Sequence, residues 1–176
     1  IKFDEDGLKE VYSKFFNPLR NTYNFFAMYA NTDHIDIDEC KVEELEEIDK
    51  WLLSKYHNLL KYVTESYNEY DLNKVVKSIT NFVSEDLSNW YIRRNRDRFW
   101  GSVLDHSKKA VYSTTYEVLV GLSKMIAPII PYLSEELYRN LTGEESVHLA
   151  YFPKYNTEYI DEALEEKMDT VRSLIS

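Results

Sequence analysis

The sequence predicts an all-α protein, a bundle of four to five helices, on three observations. Glycine and proline number four each in 176 residues, well under the roughly 12 % of average usage. That leaves too few turn formers for a collagen-like, low-complexity or turn-dense all-β chain. Apolar residues recur every three or four positions through long stretches, the period of an amphipathic helix. They make up 44 % of the chain, with aromatics at 15 %. That is enough to build a core, and too much for a chain disordered throughout. At this length one compact domain is the natural expectation.

The first helix is predicted over 7–30, with Leu8, Val11, Phe15, Leu19, Tyr23, Phe26 and Ala30 on one stripe. Pro18 lacks an amide donor and disfavours helix at Asn17, which predicts a kink or break. Residues 31–42 carry no stripe and read as a loop. A second helix is predicted over 43–67, with Ile48, Trp51, Leu52, Tyr56, Leu59, Val63 and Tyr67 inward. Its opening acids, Glu43, Glu44, Glu46, Glu47 and Asp49, suit the positive end of the helix dipole and read as a solvated face.

A third helix is predicted over 71–91, burying Leu72, Val75, Val76, Ile79, Phe82, Val83, Leu87 and Trp90. A fourth, over 107–126, shows Val111, Val118, Leu119, Leu122 and Ile126. Pro128 and Pro131 end it, and Pro131 suits the first turn of a fifth helix that stops near Thr142-Gly143. The segment SVHLAYFP, 146–153, reads as short and β-like. The bundle is therefore expected to span 1–153, with 154–176 the start of a C-terminal linker or helix. Ile160, Leu164, Met168, Val171 and Ile175 carry a helical stripe to the end of the chain. With no Met at its start, the chain reads as a piece of a longer polypeptide.

Most catalytic chemistry is missing at the level of motif. There is no G-x-S-x-G elbow for a nucleophile, and no glycine-rich loop to cradle phosphates. His34, His57, His106 and His148 are scattered over separate segments. One E-x-x-H, Glu145 to His148, falls in the β-like segment, and a di-metal bundle would need two. No metal ligand and no catalytic residue is assigned. Cys40 is the lone cysteine, which excludes an intrachain disulfide and sits easily in a reducing cytoplasm. No apolar run approaches the ~20 residues that span a bilayer, so no membrane association is expected.

Charge supplies the local anomaly. The chain carries −10 overall, which argues against nucleic-acid binding by bulk charge. The window from Arg93 to Lys109 runs the other way, with six basic residues against Asp97 and Asp105. Arg93, Arg94, Arg96 and Arg98 lie within six residues, flanked by Trp90 and Phe99-Trp100. Guanidinium groups grip phosphate bidentately and stack on bases, and exposed aromatics stack on splayed RNA bases. The same residues also suit an arginine–carboxylate network that pins one helix end to the next, with Trp90 and Phe99 in the core. Composition leaves both readings open.

Several segments carry a family resemblance. They are NPLRNTYNFFAMYAN (17–31), DKWLLSKYHNLL (49–60), YDLNKVVKSITNFVSEDLSNWYIRRNRDRFW (70–100), APIIPYLSEELYRNL (127–141) and SVHLAYFP (146–153). In this order and spacing the chain resembles the anticodon-binding helical domain of class I aminoacyl-tRNA synthetases, most specifically the isoleucyl branch. The resemblance implies a bundle that grips the anticodon stem-loop of an isoleucine tRNA. It implies remaining synthetase domains as partners and a cytoplasmic setting. Adenylation would occur elsewhere, on a domain with HIGH and KMSKS signatures absent from this chain. No cofactor is therefore expected in these residues, while ATP and Mg are expected for the parent enzyme. The chain alone is expected to be inactive.

By likeness to methionyl relatives, Trp100 matches a tryptophan that stacks on an anticodon base. Arg20 and Asn21, on the first helix, match a face turned to the anticodon. Isoleucyl members often carry Trp where Arg20 stands here. The implied RNA-binding set is Arg93, Arg94, Arg96, Arg98, Trp100, Arg20 and Asn21. Two competing roles remain, a protein-interaction bundle whose arginines dock an acidic partner, and a structural brace for the catalytic body.

Overall fold

The computed structural model describes residues 5–175, and among them it is helical with no strand. The helices are α1 (Glu5–Val11), α2 (Asn17–Thr32), α3 (Glu47–Asn68), α4 (Leu72–Asn81), α5 (Arg96–Trp100), α6 (His106–Ile126), α7 (Pro131–Thr142) and α8 (Glu162–Ile175). The β-like reading of 146–153 is corrected. Val147–Leu149 forms a single 3₁₀ turn, held to α7 where Glu135 accepts hydrogen bonds from the Val147 amide at 2.9 Å and the Ser146 hydroxyl at 3.0 Å.

The chain does not break at Pro18. α1 and α2 join through a π-wound turn, Tyr12–Phe16, and Pro18 falls in the first turn of α2. The i→i−5 pairing there shifts the hydrogen-bond register just ahead of a residue with no amide to give. The Leu8 side chain, expected on this stripe, lies outside the described residues. Val11, also expected inward, is exposed.

The second helix starts at Glu47, later than the predicted 43, and residues 43–46 run in ahead of it. The third runs on from α4 through a long π-wound segment, Phe82–Ile92. Pairing at i→i−5 spaces the inward residues five apart. Phe82, Leu87 and Ile92 form one buried row, and Asp86 and Tyr91 another. An α-helical stripe had put Trp90 inward; the wider winding leaves it half-buried and buries Tyr91 instead. Leu72 and Val76, also expected inward, are exposed.

The core lies between α3, the π-wound segment and α6, filled by Trp51, Leu60, Val63, Leu87, Phe99, Tyr112, Leu119 and Met125. α3 and α6 approach closely at Gly121, where a Cβ would sit 1.8 Å from the Tyr56 hydroxyl oxygen. Asp71 and Asp105 cap α4 and α6, accepting from the amides of Lys74 at 3.1 Å and Lys108 at 2.8 Å. Gly143 ends α7 at φ 71°, the left-handed position glycine fills without strain.

α8 lies on the outer face of α3. Its Glu165 accepts from Ser54 at 2.9 Å and Asn58 at 2.6 Å. Arg172 pairs with Asp86 at 2.6 Å, its guanidinium 5.7 Å from the Trp51 ring and 5.3 Å from the Trp90 ring. The strap leading to α8 hangs on buried His57. The His57 Nδ1 accepts from the Asn156 amide at 3.0 Å, and its ring stacks on Tyr159 at 4.8 Å.

An Nδ1 that accepts a hydrogen bond must be unprotonated, and burial pushes the His57 pKa down. The unfolded chain, near pH 6.5, then binds the proton more readily than the folded one. Stability is expected to fall as pH drops from about 6.5 towards the lower folded value. Thermal melts between pH 7 and 5 check this. His57→Phe, which keeps a ring on Tyr159 but cannot titrate, should flatten that part of the profile. An identical slope in the variant would assign the effect to another group.

Candidate nucleic-acid interface

The arginine cluster divides in two. Asn95 interrupts the helix at φ −107° and ψ 11°, its side-chain amide donating to the Tyr91 carbonyl at 2.7 Å. That local bond competes with helix continuation and turns the chain into α5. Phe99 is then fully buried, its ring 5.1 Å from both Phe25 and Tyr112. With Phe99 anchored, Arg98 turns inward beside it and Trp100 turns out, 56 % exposed.

Every donor of Arg98 is used. Its Nη1 reaches Asp49 Oδ1 at 2.7 Å and Asn95 Oδ1 at 3.1 Å. Its Nη2 reaches Asp49 Oδ2 at 2.8 Å and the Ser107 carbonyl at 2.8 Å. Its Nε donates to the Ser107 hydroxyl at 2.9 Å. A guanidinium has five N–H groups, so none is left for a phosphate. Asp49, fully buried, also accepts from the Tyr91 hydroxyl at 2.6 Å and the Glu46 amide at 3.2 Å. Burial, reinforced by the Asp49 charge, keeps the Tyr91 phenol protonated. Burial opposes the Arg98 charge too, but Asp49 outweighs it and the guanidinium stays charged.

This departs from the sequence reading at two residues. Arg98, placed in the RNA-binding set, is an internal anchor tying α3, α5 and α6. Asp49, read with the solvated acids, is its buried partner; Glu43, Glu44, Glu46 and Glu47 do face solvent. The pinning network and the exposed basic cluster, set out as competing readings, coexist in neighbouring residues.

Arg93, Arg94 and Arg96 are exposed, and among the described residues they form no ion pair. Arg94 lies over the Trp90 ring at 4.5 Å. Arg93, Arg94 and Trp90 line one groove, with Arg172 of α8 on its wall. Arg172 carried no signal in the sequence beyond being a lone arginine within the C-terminal helical pattern. Arg20 is exposed on α2 and lines a different cavity of about 280 Å³. That cavity lies between α2 and α7, with Tyr12, Phe16 and Tyr23 as walls and Asn17, Asn24, Glu136 and Asn140 as polar groups. Asn21 is exposed beside it but does not line it. No group of three or more His, Cys, Asp or Glu side chains able to hold a metal ion occurs among the described residues.

The bundle thus carries three exposed arginines without an ion pair among the described residues and an exposed indole at the end of α5. Residues 49–176 match the family described as the anticodon-binding domain of tRNA ligase. The chain belongs to that family. Over 184 aligned residues it is 45 % identical to an isoleucine–tRNA ligase of Bacteroides thetaiotaomicron. It is 43 % identical over 179 residues to one of Porphyromonas gingivalis, and 42 % to one of Chlamydia trachomatis serovar L2. Each comparison covers the whole of this chain but only 16–17 % of the relative. The chain spans about a sixth of the length of the curated relatives it matches.

The two kinds of arginine should separate on substitution. Arg98→Ala leaves Asp49 charged and buried without its partner, an expected loss of about 3–5 kcal/mol. Arg93→Ala and Arg96→Ala, on the surface, should stay within about 0.5 kcal/mol of the wild type. Urea denaturation of the three variants side by side checks this. Equal, small effects in all three would contradict the anchor.

Proposed function

We propose that this chain is the anticodon-binding bundle of an isoleucine–tRNA ligase, gripping the anticodon stem-loop of the isoleucine tRNA. Arg93, Arg94 and Arg96 take backbone phosphates, and Trp100 offers its face to an unstacked base. Arg20 and Asn21 add a secondary contact from α2. One observation carries the reading. In a chain of net charge −10, three arginines close in sequence lack an anionic partner among the described residues, and an exposed tryptophan closes the same short stretch. An acidic surface repels RNA broadly, so a confined basic edge sets where and in which orientation the backbone docks.

The parent enzyme would attach isoleucine to its tRNA at the expense of ATP, with Mg, in the cytoplasm. Its remaining domains would be the partners of this bundle and would handle ATP and Mg. The relatives' names and the family support that assignment, and this bundle contributes grip and orientation. Among the described residues no helix is long and apolar enough to cross a membrane.

Trp100→Ala tests the reading. The substitution should cost roughly 1–3 kcal/mol in affinity for the tRNA, one base-stacking contact, and leave the melting temperature nearly unchanged because the side chain is exposed. Binding should weaken steeply with salt, and Arg93→Ala should flatten the slope of log K against log salt by roughly 0.7–0.9. Salt-insensitive binding, or a Trp100→Ala variant that melts early and binds normally, would contradict it. Those outcomes favour an apolar protein partner and a packing role respectively.

A further inference from the structure

Lys108 is 3 % exposed, and a lysine so deeply buried needs strong partners. Its Nζ has two on different elements. One is the Asp33 carboxylate at 2.6 Å, just past the end of α2. The other is the carbonyl of Gly101, the residue that follows Trp100. The ring of Tyr112 lies 5.9 Å away, and the Tyr112 hydroxyl donates to the same Asp33 carboxylate at 2.8 Å. Burial works to raise the Asp33 pKa, but the hydrogen bonds from Lys108 and Tyr112 outweigh it and hold the carboxyl below its usual range. The lysine charge is therefore matched within the fold.

The segment after Trp100 has little else to hold it. Ser102, Val103 and Leu104 are exposed. Among the described residues no side chain besides Lys108 hydrogen bonds to the backbone of 101–104. Upstream of Trp100 the chain is fixed by the Phe99 ring and the five donors of Arg98. Downstream, Lys108 alone among side chains holds the Gly101 carbonyl; the next ties come at Val103, whose carbonyl accepts from the Asp105 amide at 2.9 Å, and at Ser107, which takes two of the Arg98 donors. We propose that Lys108 is a positioning residue for RNA binding: by clamping the Gly101 carbonyl to Asp33 it holds α5 closed at its C-terminal end and fixes the direction in which Trp100 faces. Lys108 does not touch RNA. Its effect on affinity passes through Trp100, so the inference rests on the stacking role given to that residue.

A double-mutant cycle in the 176-residue chain tests this, with the isoleucine tRNA as probe. Lys108→Met fills the space of the stem and removes the ammonium. It should weaken binding by a sizeable part of the roughly 5- to 150-fold loss expected for Trp100→Ala. In the Trp100→Ala background the same change should cost less than about twofold. The slope of log K against log salt should be unaltered by Lys108→Met, since no phosphate contact is lost. Acrylamide quenching gives a readout independent of RNA. Trp51 is fully buried and Trp90 half-buried, so quenchable emission is dominated by Trp100, and its anisotropy should drop in Lys108→Met. If Lys108→Met fails to fold because Asp33 is left unmatched, the double variant Lys108→Met, Asp33→Asn, which removes that charge and still leaves Gly101 unclamped, should show the same pattern.

Wild-type affinity in Lys108→Met would overturn the proposal. So would an equal loss with and without Trp100, which marks a general structural role, or a flattened salt slope, which marks a direct phosphate contact. If Trp100→Ala itself binds normally, the stacking role fails first and the positioning role falls with it. That outcome is distinguishable from the others.

Discussion

The bidentate pair between Asp49 and Arg98 is the constraint on which the rest of the molecule depends. A carboxylate with no solvent access is tolerable only if matched by charge and hydrogen bonds. Arg98 supplies both, with the Tyr91 hydroxyl and the Glu46 amide completing the shell. Such a pair does little for net stability compared with a well-packed apolar substitute, but its geometry admits one arrangement of the elements it joins. Here those elements are the start of α3, the end of the π-wound segment, α5 and the start of α6. Once they are fixed, the outward directions of Arg93, Arg94, Arg96 and Trp100 follow.

The π-wound segment makes that arrangement possible. A regular helix through 82–92 would keep the apolar stripe in phase and turn Tyr91 away from the core. Pairing at i→i−5 brings Tyr91 onto Asp49 and Asp86 onto Arg172, each five residues along the same buried row. Trp90 is left half-buried at the rim, where its ring carries Arg94 on one contact and Arg172 on another. Of the exposed arginines of the cluster, Arg94 is thus held against a protein aromatic, which under the proposed RNA-binding role orders it in advance. Pre-ordered guanidinium groups lose less conformational freedom on binding.

Much of this was legible in the chain, and the failures have physical causes. The ends of α6 and α7 and the glycine stop at Gly143 follow from caps and breakers that act locally. Asp49 was hidden by its acidic neighbours, although it sits in register with Leu52, Leu53 and Tyr56, one helical row that is buried throughout. Lys108 sits likewise with Val111, Tyr112 and Thr115. A charged residue on a buried row signals a buried partner, and that signal could have moved Arg98 from the surface set to the interior. The π winding had no comparable signature, because pattern reading assumes one period along a helix. The 146–153 segment was misread because alternating apolar residues there cap α7 as a turn and have no strand to pair with.

One arginine of the cluster is structural, and under the proposed function its neighbours and Trp100 meet RNA. The most direct test is to record the side-chain N–H resonances of the ¹⁵N-labelled chain while adding an anticodon stem-loop hairpin. The Trp100 indole and the Nε–H signals of Arg93, Arg94 and Arg96 are expected to move as RNA is added. The Arg98 Nε–H, held by the Ser107 hydroxyl, should stay in place. A titration in which Arg98 shifts while Trp100 and the other three arginines remain fixed would contradict it.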